Sequence, residues 1–202
     1  MKIALIGASG NVGSRVLAEL SSRGHQITAI ARDTARIADL PGVTPIALDM
    51  ADTAALVAAL KGHDVVVSSV HFMVSDPEQL ISAVKSSGVP RYLVVGGAGS
   101  LLVAPGVQLV DTPQFPEAYL PEARAGGVFL DRLRAEKDLD WTFLSPSALF
   151  IPGERTGKFR LGKDDLLTND QGSSISFEDY AIAMADEIET SKHPRERFTV
   201  GY

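Results

Sequence analysis

Residues 2 to 15 read KIALIGASGNVGSR, an apolar run that opens into three glycines, Gly7, Gly10 and Gly13, spaced GxxGxxG. The run has the length and composition of a buried strand, and the residues after the glycines have the apolar spacing of a helix. A strand, a glycine turn and a helix in that order can hardly be anything but the first unit of a parallel sheet. Backbone N–H groups and the helix dipole then converge on the turn, which suits an anion. Gly7 permits the tight turn, Gly10 lets a pyrophosphate come close, and Gly13 lets the helix pack on the sheet. Strand, turn and helix together point to a dinucleotide, with a purely structural turn as the competing reading.

The rest of the chain repeats the alternation. QITAIA, VTPIAL, DVVVSSV, RYLVVGG and WTFLS read as buried strands. Between them lie helices over 11–23, 53–61, 77–87 and 118–137, the second and third closed by Gly62 and Gly88. This is a Rossmann-type α/β fold, a doubly wound parallel sheet in one domain over 1–202. After Pro146 the rhythm breaks into PGERTGKFRLGKDD, a loop or hairpin, before a helix from Ser176 and a last strand RFTVG. Residues 146–180 are expected to form a small acceptor-binding region.

Charge removes several function classes. Nineteen Lys and Arg stand against twenty-five Asp and Glu, for a net charge of −6, and no basic stripe suited to nucleic acid is present. Without cysteine there is no disulfide or thiolate chemistry. No apolar run approaches bilayer length, so no membrane partner is expected and the chain reads as cytoplasmic. His25, His63, His71 and His193 are scattered without carboxylates at ligand spacing, so no metal is expected. Nothing in the sequence speaks to the oligomeric state.

The second strand ends in AIARDTAR. Arg32 and Arg36, one helical turn apart, suit a ribose 2′-phosphate and favour NADP(H) over NAD(H). The alternatives are a solvated charged face with Asp33 and Asp39, or Asp33 on a 2′-hydroxyl. Asp49 after the third strand has the place to accept from an adenine amino group with Met50 on the ring, or to cap the helix near Thr53.

GASGNVG, ARDTAR, LDWTFLSPSALFIPGERTGKFR and GSSISFEDYAIAMADEIE together resemble the atypical short-chain dehydrogenase/reductases. Within these the chain is most similar to the NADH-flavin reductase group related to biliverdin-IXβ reductase and the NmrA-like proteins. The likeness runs over nearly the whole chain. It implies a dinucleotide held by Gly7, Ser9, Gly10, Asn11, Val12 and Gly13. Ser68, Ser69, Val70 and Gly97 would line its middle, and Ser145 and Pro146 would border the nicotinamide. Small serines that merely let helices pack close are the alternative.

One departure carries the mechanism. Typical short-chain dehydrogenases pair a tyrosine with a lysine four residues on; here YLPEARAGG places Ala123 four after Tyr119, with Arg124 displaced by one. A tyrosine near its usual pKa of about 10 is a poor proton relay at neutral pH, so ketone reduction is not expected. Flavins and quinones delocalise incoming electrons and need positioning more than acid–base chemistry. The expected function is therefore NAD(P)H-dependent hydride transfer to a small conjugated acceptor. Ser100 would orient an acceptor oxygen and Tyr119 would stack or donate, against loop and amphipathic readings for both. His71 is a weaker candidate donor. The basic stretch Arg155, Lys158, Arg160 and Lys163 would meet an acidic acceptor such as a flavin phosphate, or form a solvated hairpin. The other readings are a non-catalytic NADP(H)-binding redox sensor, and a nucleotide-sugar epimerase or dehydratase that the missing lysine disfavours.

Overall fold

Val65–Ser68 and Arg91–Val95 are buried along their whole length, as strands must be when helices cover both faces of a parallel sheet. They are the fourth and fifth strands in a computed structural model that describes residues 1 to 202. In chain order the elements begin with β1 (Lys2–Ile6), α1 (Asn11–Ser22), β2 (Gln26–Ala31), β3 (Val43–Ala47), α2 (Thr53–Leu60), β4 (Val65–Ser68), α3 (Pro77–Ser87) and β5 (Arg91–Val95). A small hairpin follows, β6 (Leu102–Ala104) and β7 (Val107–Gln108), and then α4 (Leu120–Arg134) and β8 (Asp140–Pro146). The chain ends with β9 (Leu149–Ile151), β10 (Arg160–Gly162), β11 (Ser174–Ser176), α5 (Phe177–Thr190) and β12 (Glu196–Gly201).

The central sheet has the order β10-β12-β8-β5-β4-β1-β2-β3, parallel throughout except for β10. The strand order reverses beside β1, so a crevice opens outside the carboxyl ends of β1 and β4. One apolar core lies between the sheet and α1 and α5, with Val16, Leu20, Tyr180 and Met184 in it. The other lies under α2, α3 and α4, with Leu56, Leu80, Val84, Phe129 and Leu133. Helix starts follow local chemistry. The carboxylates of Asp52 and Asp76 and the hydroxyl of Ser176 accept from first-turn N–H groups of α2, α3 and α5.

The helix expected over 118–137 is shorter. Glu117–Tyr119 form a 3₁₀ turn, and the α-helix starts at Leu120, where Pro121 occupies an early position that needs no N–H donor. The loop expected after Pro146 is more ordered than its composition suggests. Within it β9 pairs parallel with β11, while β10 joins the main sheet antiparallel to β12. The hairpin β6–β7 had no counterpart in the sequence reading; it turns at Gly106, whose φ of +74° suits glycine. No helix is long and apolar enough to cross a membrane.

Candidate functional site

A cleft of about 900 Å³ runs along the carboxyl edge of the sheet. Gly10, Asn11 and Val12 line one end, Ser69, Val70, Gly96 and Gly97 the middle, and Ser100, Tyr119, Pro146 and Phe150 stand among its walls. The three turn glycines are not equivalent. Gly7 has φ +82°, and a Cβ there would lie 2.1 Å from the Ser69 carbonyl oxygen. A Cβ on Gly13 would lie 2.1 Å from the Gly7 carbonyl oxygen. Both positions are closed by protein backbone. At Gly10 the nearest atom to a Cβ is Gly7 O at 3.3 Å, and the residue itself lines the cleft. Gly10 also stands at the N-cap of α1 without any side chain capping the first turn. Space that a side chain would fill, in front of unserved helical N–H groups, is the cradle a pyrophosphate fits. Ser9 sits in the same turn and makes no hydrogen bond within the chain.

Arg32 and Arg36 follow β2 along the same edge. Both are exposed and neither enters an ion pair. Asp33 is engaged locally, its Oδ1 accepting from Ala35 N at 2.9 Å to cap the 3₁₀ turn Thr34–Arg36. Asp39 is exposed as well, so the four charges lie on a solvated face in which neither arginine is paired. Asp49 is exposed and accepts from Ala51 N at 3.0 Å, while the cap of α2 is Asp52. Met50 packs its side chain against the second core.

Two serines expected along the cofactor turn away from the cleft. Ser68 is buried, its Oγ 2.8 Å from the Tyr92 hydroxyl, because successive strand residues alternate faces and Ser68 points to the Tyr92 side. Ser145 is fully buried, and its Oγ accepts from Arg197 Nη1 at 3.4 Å. Ser69, Val70, Gly97 and Pro146 do line the cleft.

Ser100 lines the cleft as well, backed by a residue the sequence reading treated only as part of a strand. The Arg197 side chain is 3% exposed. It donates from Nη1 to Ser100 Oγ at 3.3 Å and from Nη2 to the Ser100 carbonyl at 3.4 Å, and it pairs with Asp164. Burial pushes the Arg197 pKa down, and Asp164 opposes that shift. A guanidinium can only donate, so Ser100 Oγ accepts from it and keeps its own O–H for another partner. Tyr119 is 66% exposed, and its hydroxyl has no hydrogen-bond partner. Four residues on, Ala123 packs against Gly99 so closely that a Cβ on that glycine would come within 2.8 Å of the alanine's. Arg124 does not replace a lysine there: its Nη2 faces Asp111 at 3.4 Å. His71 is exposed at the mouth, 3.4 Å from Glu122, whose carboxylate accepts from Phe72 N and Met73 N.

The basic stretch does not serve the cleft. Arg155 makes two 2.9 Å contacts to Glu19 on α1, and Arg160 donates to the carbonyls of Thr168 and Tyr202. Neither they nor Lys158 and Lys163 are in the cleft wall. Residues that do form it, and that sequence reasoning missed, include Phe115, Pro116, Phe150 and Phe177. The last two stack edge to face at 4.7 Å. For Phe115, Pro116 and Phe150 the signal was apolar residues in segments with neither helical nor strand periodicity; Phe177 opens α5. Behind them the Tyr180 hydroxyl donates to Leu144 O at 2.6 Å and accepts from Gly96 N at 3.3 Å, tying together the ends of β5 and β8. Burial raises its pKa and keeps it neutral.

Residues 7–191 match the model of a family described as NAD(P)H-binding. A Burkholderia pseudomallei structure described as an exported protein shares 47% identity and a TM-score of 0.91, with 100% of both chains covered. A Bacteroides thetaiotaomicron structure named as an inferred epimerase shares 45% identity and a TM-score of 0.95, covering 100% of this chain and 96% of that one. A Streptococcus pneumoniae structure named as an inferred NADH-flavin reductase shares 36% identity and a TM-score of 0.83, covering 100% and 99%.

Proposed function

The chain belongs to the NAD(P)H-binding family, and from that premise we propose that it is an NADPH-preferring reductase of conjugated acceptors of the flavin or quinone kind. The supporting observation is a single cleft that joins the glycine turn to an apolar wall, with a tyrosine at its edge that no cation activates. In this reading Ser9, Gly10, Asn11 and Val12 hold the pyrophosphate. Arg32 and Arg36 hold the 2′-phosphate, with Asp49 and Met50 beside the adenine. Ser69, Val70, Gly97 and Pro146 line the nicotinamide end, while Ser68 and Ser145 brace it from within. The bound dinucleotide supplies a hydride.

The chain's own work is placement. Ser100, held by Arg197 with its proton free, donates to an acceptor oxygen where negative charge develops. Tyr119 flanks the acceptor, and solvent at the cleft mouth supplies the proton. The Bacteroides relative raises epimerisation as a second reading, but Tyr119 lacks the neighbouring cation that such tyrosine-based proton transfer requires. Consumption of NADPH, followed by its absorbance with flavins, quinones and simple ketones, tests the proposal. Turnover is expected with the first two and not the third. Silence across the panel with intact NADPH binding would make the chain a redox sensor instead.

A further inference from the structure

The side chains that line the acceptor end of the cleft have a charge pattern that the expected basic stretch would not have produced. Among all lining residues the ionisable ones are His71, Tyr119 and Glu122; there is no lysine or arginine. Guanidinium groups around the cleft are already committed: Arg15, over the Phe177 ring, pairs with Glu178 at 3.1 Å. Arg197 lies behind Ser100, 3% exposed and paired with Asp164; Arg124 faces Asp111; Arg155 grips Glu19. The wall itself is Leu109, Phe115, Pro116, Leu149, Phe150 and Phe177.

From this we infer that the acceptor site is selective for uncharged planar rings and discriminates against the same rings bearing a phosphate; it deepens the reductase reading and rests on it. A phosphate carries about −1.5 to −2 charges at neutral pH, and losing water around it is unfavourable unless cations or several N–H donors replace that water. Three helices begin at the cleft wall: α1 at Gly10, which leaves room for the cofactor's own pyrophosphate; α4 beside Tyr119, where Leu120 N already donates to Glu117 O and Pro121 has no N–H; and α5 at Phe177, whose first-turn Asp179 N is taken by Ser176 Oγ. At the acceptor end the fixed charge is the Glu122 carboxylate, which repels an anion. An isoalloxazine or quinone ring without an anionic tail meets aromatic faces, prolyl edges and the Ser100 hydroxyl, all of which it can use.

Riboflavin and FMN share one ring system and differ by the 5′-phosphate, so they isolate the effect. Titrating each into the full-length protein saturated with NADP⁺, and following quenching of flavin fluorescence, should give riboflavin a Kd at least tenfold below that of FMN. Gln114→Arg places a cation on the cleft rim and should tighten FMN severalfold while leaving riboflavin unchanged. Equal affinities, tighter FMN, or no binding of either ring would overturn the inference. Because the readout is binding, it separates from the reductase reading. A riboflavin preference without NADPH consumption would keep the selectivity and remove the reaction.

Discussion

The two ends of the cleft are built from different materials. At the cofactor end the backbone does the shaping: Gly7 and Gly13 meet carbonyl oxygens with no room for a methyl group, and the ligand-facing position is itself a glycine. At the acceptor end side chains do it, drawn from the segments 97–100, 109–119, 146–150 and 173–177. A backbone site gives almost nothing when a residue is changed, whereas a side-chain wall can be re-shaped one residue at a time. That difference suits a scaffold whose cofactor stays constant while its acceptor varies.

The contrast can be broken most forcefully at the glycines. Gly13→Val should fail to give folded protein, since its Cβ would sit 2.1 Å from a carbonyl oxygen in the first turn of α1. Gly10→Val meets nothing closer than 3.3 Å at Cβ and should fold, with its side chain in the cleft. Circular dichroism should show the native sheet in Gly10→Val and not in Gly13→Val. Calorimetry should show NADPH affinity in Gly10→Val down at least a hundredfold. Normal binding by Gly10→Val would mean that the turn is structural and the cofactor lies elsewhere.

How much of this was legible in advance follows the same division. Glycine spacing and apolar runs report backbone constraint directly, so the turn and the alternation of strands and helices could be read. Ser68 and Ser145 were misplaced because a small polar residue at a strand end looks alike whichever face it points to; only the partners Tyr92 and Arg197 decide it. Phe115 and Phe150 were missed because they lie in segments read as loop, and Phe177 because the first residue of a helix does not reveal what it faces. Arg197 was passed over for a related reason. Its ion-pair partner Asp164 is 33 residues away in a segment that read as solvated loop.

Arg197 therefore tests the side-chain half. Arg197→Met keeps an apolar stem of similar length but leaves Asp164 with Arg134 alone and the hydroxyls of Ser100 and Ser145 without their donor. Removing one partner from such a network costs about 2 kcal/mol. For a chain of this size that is a drop in Tm of roughly 4–8 °C. Thermal unfolding measures it. NADPH affinity should be unchanged, and reductase turnover should fall if Ser100 is the donor to the acceptor. An unchanged Tm would show that water already satisfies the network.

The cofactor end can be sharpened with a smaller change. Arg32 is exposed and unpaired, so Arg32→Ala should alter only what the guanidinium touches in the complex. One charge-assisted contact to a phosphate is worth roughly 1.5–3 kcal/mol, so NADPH affinity should fall about tenfold or more while NADH affinity holds. Wild-type protein that binds both dinucleotides equally would remove the 2′-phosphate from Arg32 and Arg36, and return attention to Asp33.

The smallest effect is expected where sequence habit would look for the largest. Tyr119 lines the cleft, yet it is 66% exposed, its hydroxyl is hydrogen-bonded to nothing, and four residues on stands Ala123 where typical short-chain dehydrogenases have a lysine. Ala123 is also held tightly against Gly99, so the wall there is packed for a methyl group and not for a long cation. A phenol in that setting has neither a neighbouring cation nor a hydrogen-bonded relay to pass a proton through. Tyr119→Phe keeps the ring and removes the hydroxyl. Turnover of quinones and riboflavin should stay within about twofold of wild type, since general acid catalysis would otherwise contribute a hundredfold or more. A loss of that larger size, with a pH profile that changes in the variant, would show that the hydroxyl transfers a proton after all. The acceptor end would then owe its chemistry to one residue and not to the shape and neutrality of its wall.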